Sequence, residues 1–338
     1  MLVTICTIRQ LPQAFALADS FVKHIDDSLN QHKRVLIGLA DNPANLPAGF
    51  VSPYPLLPLS DLLPSEQSAV LSTSYTSVEF KAACKSLLIS EVFSRYPEVD
   101  NILYADPNLF FFAPLAPIWE QLNEGNVLLT PFITQSPADT RWPDEKFFQN
   151  VGLYCSDFIG FKRSTETDQL LAWWDDRVRA RAYIDFCDGL CTDQLWLMHI
   201  PVFFKGTRVI KNPGWHVALW NLSERKLERT GTNWSVTGPL AQKELLQFFN
   251  FKGLFDEDEG FFPHQNRVDL KTRLDISTLL NEYRQTLNKY AKTPLSSNSS
   301  ALGMQPAPKI VRGWRRSTIT WLRGIGRFID TIPLPVIR

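Results

Sequence analysis

The residue best placed to do chemistry is Asp106. It follows Asn-Ile-Leu-Tyr-Ala at 101–105, an apolar run that reads as a strand buried on both faces, and it precedes Pro107 and Asn108. Open parallel sheets receive their ligands just beyond the carboxyl ends of such strands, so a carboxylate here would meet a bound group. Taken alone, an Asp after an apolar strand is more often a turn or cap residue. The case for chemistry therefore rests on what else stands in order along the chain. Asp193 and Gln194 are the next pair, a carboxylate and an amide after Thr192 at the start of a predicted helix over 192–199. The helix dipole by itself would favour an Asp there. His216, between Trp215 and Val217, reads as a structural hydrogen-bonding residue before a base or metal ligand, and the other four histidines show no paired spacing. The five cysteines form no C-x-x-C pair and read as reduced thiols, with Cys187 and Cys191 as buried small hydrophobes. The acidic run at 256–259 reads as a solvated loop, with metal or acceptor binding as the alternative.

These residues need a sheet edge to gather on. Residues 2–8 read as a strand, 13–30 as a helix with Phe15, Ala18, Phe21, Val22 and Ile25 at helical spacing, and 35–39 as a second strand. That β-α-β opening predicts a parallel sheet. The stretch 41–65 holds six of the 23 prolines and reads as loop. A helix over about 77–95 stops before Pro97, and further strands are expected at 127–131, 157–161, near 202–204 and near 207–211, with a Trp-rich helix over 166–182.

The chain has 338 residues, 44% hydrophobic and 12% aromatic, enough for a sizeable core in one large α/β domain with or without an appendage. Lys+Arg and Asp+Glu each total 35, so global charge gives no reason to expect nucleic acid as a partner. The start, MLVTICTIRQ, reads as a strand rather than a secretion signal. No apolar stretch reaches the roughly 18 uncharged residues of a membrane-spanning helix, and a cytoplasmic body is expected.

Six segments carry a further pattern. They are EFKAACK at 79–85, ILYADPNLFFF at 102–112, GLYCSDFIGF at 152–161, Thr192-Asp193-Gln194, WHVALWN at 215–221 and FNFKG at 249–253. In this order they resemble the nucleotide-diphospho-sugar transferases of the glycosyltransferase family 8 type, the glycogenin-like and bacterial lipopolysaccharide sugar transferases. The second matches a family strand ending Y-L-D-x-D, the third an N-x-G-(F/V) strand, the fourth a D-Q pair, the fifth N-V-x-Y-W-N and the last H-F-x-G. The resemblance covers residues 2–254. It implies an α/β fold of the GT-A, Rossmann-like kind, a mixed and mostly parallel sheet flanked by helices, over residues 1–292. It also implies transfer of a hexose from a nucleotide-diphosphate sugar, a UDP-sugar, to a glycan or lipid-linked acceptor, with retention of configuration, in cell-surface polysaccharide synthesis.

On this resemblance Asp193 and Gln194 contact the transferred sugar, and Thr7, Tyr75, Lys85, Asp106, Asn108, Ser156, Asn250, Lys252 and Gly253 bind the donor. The family holds a manganese ion (Mn2+) on the diphosphate with two carboxylates and a histidine, a shell suited to that metal. Here Asp106 remains, but Asn108 stands for the second carboxylate and Asn250 for the histidine, so any site for a divalent cation is weakened. Lys252 could neutralise diphosphate directly, or be an exposed loop lysine. Those lost ligands sustain a second reading, a non-catalytic nucleotide-sugar-binding or scaffold protein. A nicotinamide-dependent oxidoreductase lacks its G-x-G-x-x-G after the first strand.

Residues 293–308, rich in Ser and Pro, read as a flexible linker. Beyond it, 309–338 carry seven basic residues against Asp330, with Val311, Trp314, Trp321, Ile325, Phe328 and Ile332 at helical spacing. A basic amphipathic helix over about 309–331 suits an anionic membrane surface, placing the protein at the inner face of the cell membrane, or docks on the acidic body.

Overall fold

A computed structural model describes residues 1–25, 35–290, 295 and 302–331. Short, uninterrupted apolar runs make the central sheet. β1 (Leu2–Cys6), β2 (Val35–Leu39), β3 (Leu56–Pro58), β4 (Asn101–Ala105), β6 (Val127–Pro131) and β7 (Tyr154–Lys162) form it with the strand Thr207–Val209. The order is Thr207–Val209, β6, β7, β4, β1, β2, β3. β7 runs antiparallel to both its neighbours, and the other pairings are parallel. This is the expected mixed, mostly parallel sheet.

Helices cover both faces, as a sheet buried on two sides requires. One face takes α1 (Leu11–His24), whose Phe15, Leu17 and Phe21 pack with Ile118 and Leu122 of α5 (Ala116–Glu124). The other takes α2 (Ser65–Ser74), α3 (Ser77–Ala83), α4 (Lys85–Arg95) and α7 (Thr165–Arg181), with Phe80, Leu88, Val92 and Trp174 in its core. α3 opens on a reciprocal cap: the Thr76 N–H donates to Glu79 Oε2 (2.8 Å) and the Glu79 N–H to Thr76 Oγ1 (3.4 Å).

A small three-stranded sheet lies beyond the carboxyl end of β4: Val217–Ala218, Phe248–Asn250, then β5 (Leu109–Phe111). Behind it a third core gathers Phe132, Phe148 of α6 (Glu145–Val151), Trp220 and the helix Leu274–Leu287, whose Tyr283 ring stacks on Phe251 at 4.0 Å.

Several expectations are corrected. The 77–95 helix is two helices broken at Cys84, and α2 begins at the edge of the stretch read as loop. Residues 192–199 are a turn and a 3-10 helix (Leu195–His199), because Thr192 adopts the left-handed backbone (φ 51°) that a helix start excludes. The strand expected near 202–204 is a helical turn, Ile200–Phe203, with Pro201 at its first turn. Cys187 is exposed, in a turn closed by its N–H donating to Asp185 Oδ1 (2.9 Å); the other four thiols are buried. The helix expected over 13–30 ends at His24, with 26–30 outside the described residues.

The chain divides into two compact units, Met1–Gln305 and Pro306–Arg338. Half of the expected linker lies outside the described residues. Within it, residues 303–305 pair with the end of α2: the Met304 N–H donates to Ser72 O (2.7 Å) and that of Gln305 to Tyr75 O (3.0 Å). The second unit holds the helix Trp314–Thr331, with Trp314, Trp321, Leu322 and Phe328 exposed along it. No helix among the described residues is long and apolar enough to cross a membrane.

Candidate active site

The antiparallel pairing of β4 with β7 sets Ala105 opposite Phe158, so that the Asp106 N–H donates to Asp157 O (2.8 Å). Two acidic side chains are thus brought together at the ligand edge of the sheet. From the other side, Asn250 lies in register with Leu109 of β5, and the Phe251 N–H donates to Asn108 O (2.9 Å). That pairing delivers Lys252. Its Nζ lies 2.9 Å from Asp106 Oδ2 and 2.7 Å from Asp157 Oδ1. Burial alone would lower the lysine's pKa, but Asp106 and Asp157 outweigh it and hold the ammonium well above its ordinary value. Burial likewise opposes ionisation of Asp157, and Lys252, Lys85 and the Asn250 amide overcome it, so its pKa is lowered. Gly253 turns the chain immediately after the lysine at φ 76°; a Cβ there would sit 3.1 Å from Leu219 Cδ2.

Amides complete this centre. The Asn108 backbone N–H and Nδ2 donate to Asp106 Oδ1 (3.0 and 3.1 Å). The Asn250 amide nitrogen donates to Asp157 Oδ2 (2.8 Å), while its oxygen accepts the Lys252 backbone N–H (3.0 Å). Asn250 Nδ2 also lies 3.4 Å from His216 Nε2, and His216 Nδ1 lies 2.6 Å from Thr130 Oγ1. Burial, then Arg225 and Lys252, push the imidazole pKa down to about 3. His216 is therefore neutral, and with Nε2 facing an amide donor its proton belongs on Nδ1. It holds the Asn250 amide in place.

A second centre lies beside the first. Lys85 Nζ sits 2.5 Å from Asp193 Oδ2 and donates to Ser156 O (2.9 Å) and Ser156 Oγ (3.1 Å), with the Tyr104 ring 4.5 Å away. The Ser156 hydroxyl donates to Asp193 Oδ1 (3.2 Å), and Trp174 Nε1 donates to Asp193 O (3.1 Å). Gln194 is fixed by donating to Val151 O (2.6 Å) and accepting the Ser156 N–H (3.4 Å). The left-handed Thr192 is what aims this turn inward.

Between the two centres lies a small cavity of about 20 Å³, walled by Gln194, Asp157, Lys252, Glu259, Gly260 and Phe262 among others. It has room for about one water. Residues 259–262 border it, and Glu259, expected on a solvated loop, is instead half-buried: Oε2 accepts from Asn108 Nδ2 (2.8 Å) and Oε1 from Gln10 Nε2 (3.1 Å). Burial and then Asp106 raise its pKa.

The structure thus gathers Asp106, Asn108, Asn250, Lys252 and Gly253 in one centre and Lys85, Ser156, Asp193 and Gln194 in the next. Thr7 joins through Gln10, whose Oε1 lies 3.4 Å from both the Thr7 N–H and hydroxyl. Tyr75 stands apart, in the core behind α3, its hydroxyl donating to Arg179 O (3.0 Å). The sequence gives no role to Asp157 or Gln10, and it reads Glu259 only as part of the acidic loop. A charged residue inside an apolar strand was the available signal for Asp157, since it must find a partner when buried.

The donor set implied for a manganese ion does not fit one. The ammonium of Lys252 stands between the carboxylates, and the Asn250 oxygen is committed to a backbone N–H. Cys155, Asp157 and His216 form a possible ligand cluster, their donor atoms within 4.8 Å of one another. Burial raises the Cys155 pKa well above its ordinary value, which keeps the thiol protonated, and both Asp157 oxygens already accept hydrogen bonds.

No protein-family model matches the chain. It is 27% identical over 146 residues to the uncharacterized protein YfnF of Bacillus subtilis (strain 168), covering 43% of this chain and 48% of that one. It is 23% identical over 183 residues to the uncharacterized protein YfnD of the same organism, covering 52% and 53%. The chain spans about half the length of the curated relatives it matches. Among solved structures it is similar to the bifunctional glycosyltransferase WbbM, at TM-score 0.39 and 13% identity over 88% of this chain and 46% of that one. It is similar to mouse xyloside xylosyltransferase 1, at TM-score 0.37 and 12% identity over 64% and 87%. It is also similar to the galactosyltransferase LgtC, solved as an active-site mutant, at TM-score 0.43 and 13% identity over 77% of this chain and 91% of that one.

Proposed function

We propose that the chain is a GT-A-type glycosyltransferase that takes a hexose from a nucleotide-diphosphate sugar. The observation that carries this reading is convergence. Motif residues separated by as many as 146 positions, Asp106 and Lys252, meet at the carboxyl edge of the sheet, with the Asp193-Gln194 turn beside them. A leaving nucleoside diphosphate develops negative charge, which a fixed cation must offset. Two of the three N–H donors of Lys252 go to Asp106 and Asp157, and the residue lines the cavity, so one donor remains for a phosphoryl oxygen. Gln194 lines the same cavity and takes the sugar side, with Asp193 held behind it by Lys85. The finer expectations belong to this proposal: a UDP-sugar donor, a glycan or lipid-linked acceptor, retention of configuration, and cell-surface polysaccharide synthesis at a membrane reached through the C-terminal helix.

The test is to incubate the full chain with a panel of nucleotide sugars and follow nucleoside diphosphate release with and without acceptors. Release from at least one donor, abolished in Asp106→Ala, is the expected result. A donor at about 100 times its Kd adds roughly 2.7 kcal/mol of stability, enough to register by thermal shift. Stabilisation with no turnover under any acceptor would instead support the non-catalytic nucleotide-sugar-binding reading, which the closed cavity and the ammonium between the carboxylates favour.

A further inference from the structure

We propose that Lys252 is a resident cation, its ammonium holding the place between Asp106 and Asp157 that a divalent ion would take, so that neutralising residue 252 turns this centre into a divalent-cation site. The inference deepens the donor-site reading and rests on it for its role in transfer. The geometry it acts on does not.

The position of Nζ is the first observation. It lies within 2.9 Å of one oxygen from each carboxylate, close to the 2.0–2.6 Å at which hard divalent ions bind oxygen. Charge is the second. Two carboxylates around one ammonium leave a net negative centre, whereas a divalent ion would balance both. The third is an acceptor left over: Asn108 is 1% exposed, bonded through its amide nitrogen to Asp106, yet its Oδ1 accepts no hydrogen bond among the described residues. A buried amide oxygen without a partner is costly, and it is a ligand type that hard cations accept. In the native chain the ammonium must leave before an ion can enter, which would take from Lys252 both of its carboxylate partners. Native Lys252 therefore excludes the ion.

The experiment is a manganese titration followed by electron paramagnetic resonance, with no nucleotide sugar present. The native chain is compared with Lys252→Ala, Lys252→Gln and Lys252→Arg. The native chain and Lys252→Arg, which keeps the charge, should bind no ion through these carboxylates. Lys252→Ala and Lys252→Gln should each bind one ion, at least about tenfold more tightly than any residual binding by the native chain, as removal of a like charge in contact predicts. Asp157→Asn added to either should erase the gain. Lys252→Gln keeps most of the buried stem, so it reports on charge even where the alanine variant fails to fold. Two results overturn the proposal: native protein that binds one manganese ion and loses it on Asp106→Asn, or folded neutral variants that gain nothing. Because no sugar nucleotide enters the assay, failure of the transferase reading leaves these outcomes unchanged.

Discussion

Lys85 and Lys252 are two lysines at one sheet edge, each paired with aspartate, and they differ in what is left over. Lys85 donates to both oxygens of Ser156 and is in ion-pair contact with Asp193, and it faces the Tyr104 ring. Lys252 spends two donors on carboxylates and borders the cavity with the rest. A fully committed buried cation is a brace, since any ligand would have to break existing bonds to reach it. A cation with a donor to spare can answer a ligand. The comparison assigns Lys85 to positioning the Asp193-Gln194 turn and Lys252 to the ligand itself.

The strongest way to break that distinction is to remove each lysine in turn. Lys85→Met leaves Asp193 buried and unpaired, which should cost about 3–5 kcal/mol in urea unfolding. Lys252→Met should cost less, and its loss should shrink from pH 7 to pH 5, because one of the two facing carboxylates can then take up a proton. Equal losses with no pH difference would erase the contrast.

The support behind Lys252 offers a smaller effect. His216 has its pKa lowered to about 3, so between that value and its unfolded pKa of about 6.5 the unfolded chain binds the extra proton. Stability from this residue is intact above pH 6.5 and is lost as the pH falls. Lowering the pH from 7 to 5 should cost the native protein about 2 kcal/mol more than His216→Asn, a residue that tolerates the left-handed backbone at 216. Parallel pH profiles for the two proteins would show that the imidazole titrates normally. The smallest effect tests the turn after the lysine: Gly253→Ala should cost about 1 kcal/mol for its positive φ and should weaken donor binding without disturbing the Lys85 centre. A thermal shift against the best donor, compared with the native chain, measures both parts.

The parts legible in the sequence are those that local physics decides. β1, β2, β4 and β6 are apolar runs that could only be buried, and the helices facing them repeat at the helical period. The 202–204 segment has the same apolar character but becomes a helical turn, because Pro201 presets it and apolar content alone does not choose between the two. The candidate site was legible as residue types but not as partners. The resemblance puts Asn108 and Asn250 at one centre with Asp106, and the β5 pairing supplies the contacts that hold them there. Asp157 hid inside an expected strand. The left-handed backbone of Thr192 has no local signature, so a turn that aims Asp193 read as a helix.

The closed cavity carries a kinetic consequence. A space of about 20 Å³ cannot admit a sugar nucleotide, so a ligand that binds here would need residues 259–262 to move aside and Glu259 to release Asn108 and Gln10. Association then stops scaling with ligand concentration once the ligand outpaces the loop, and the plateau reads the opening rate directly. Affinity is taxed by the same equilibrium: if the open form makes up about one part in a hundred, a ligand binds about a hundredfold more weakly than its contacts alone would give. Loosening Glu259 would raise apparent affinity without adding a single contact to the ligand.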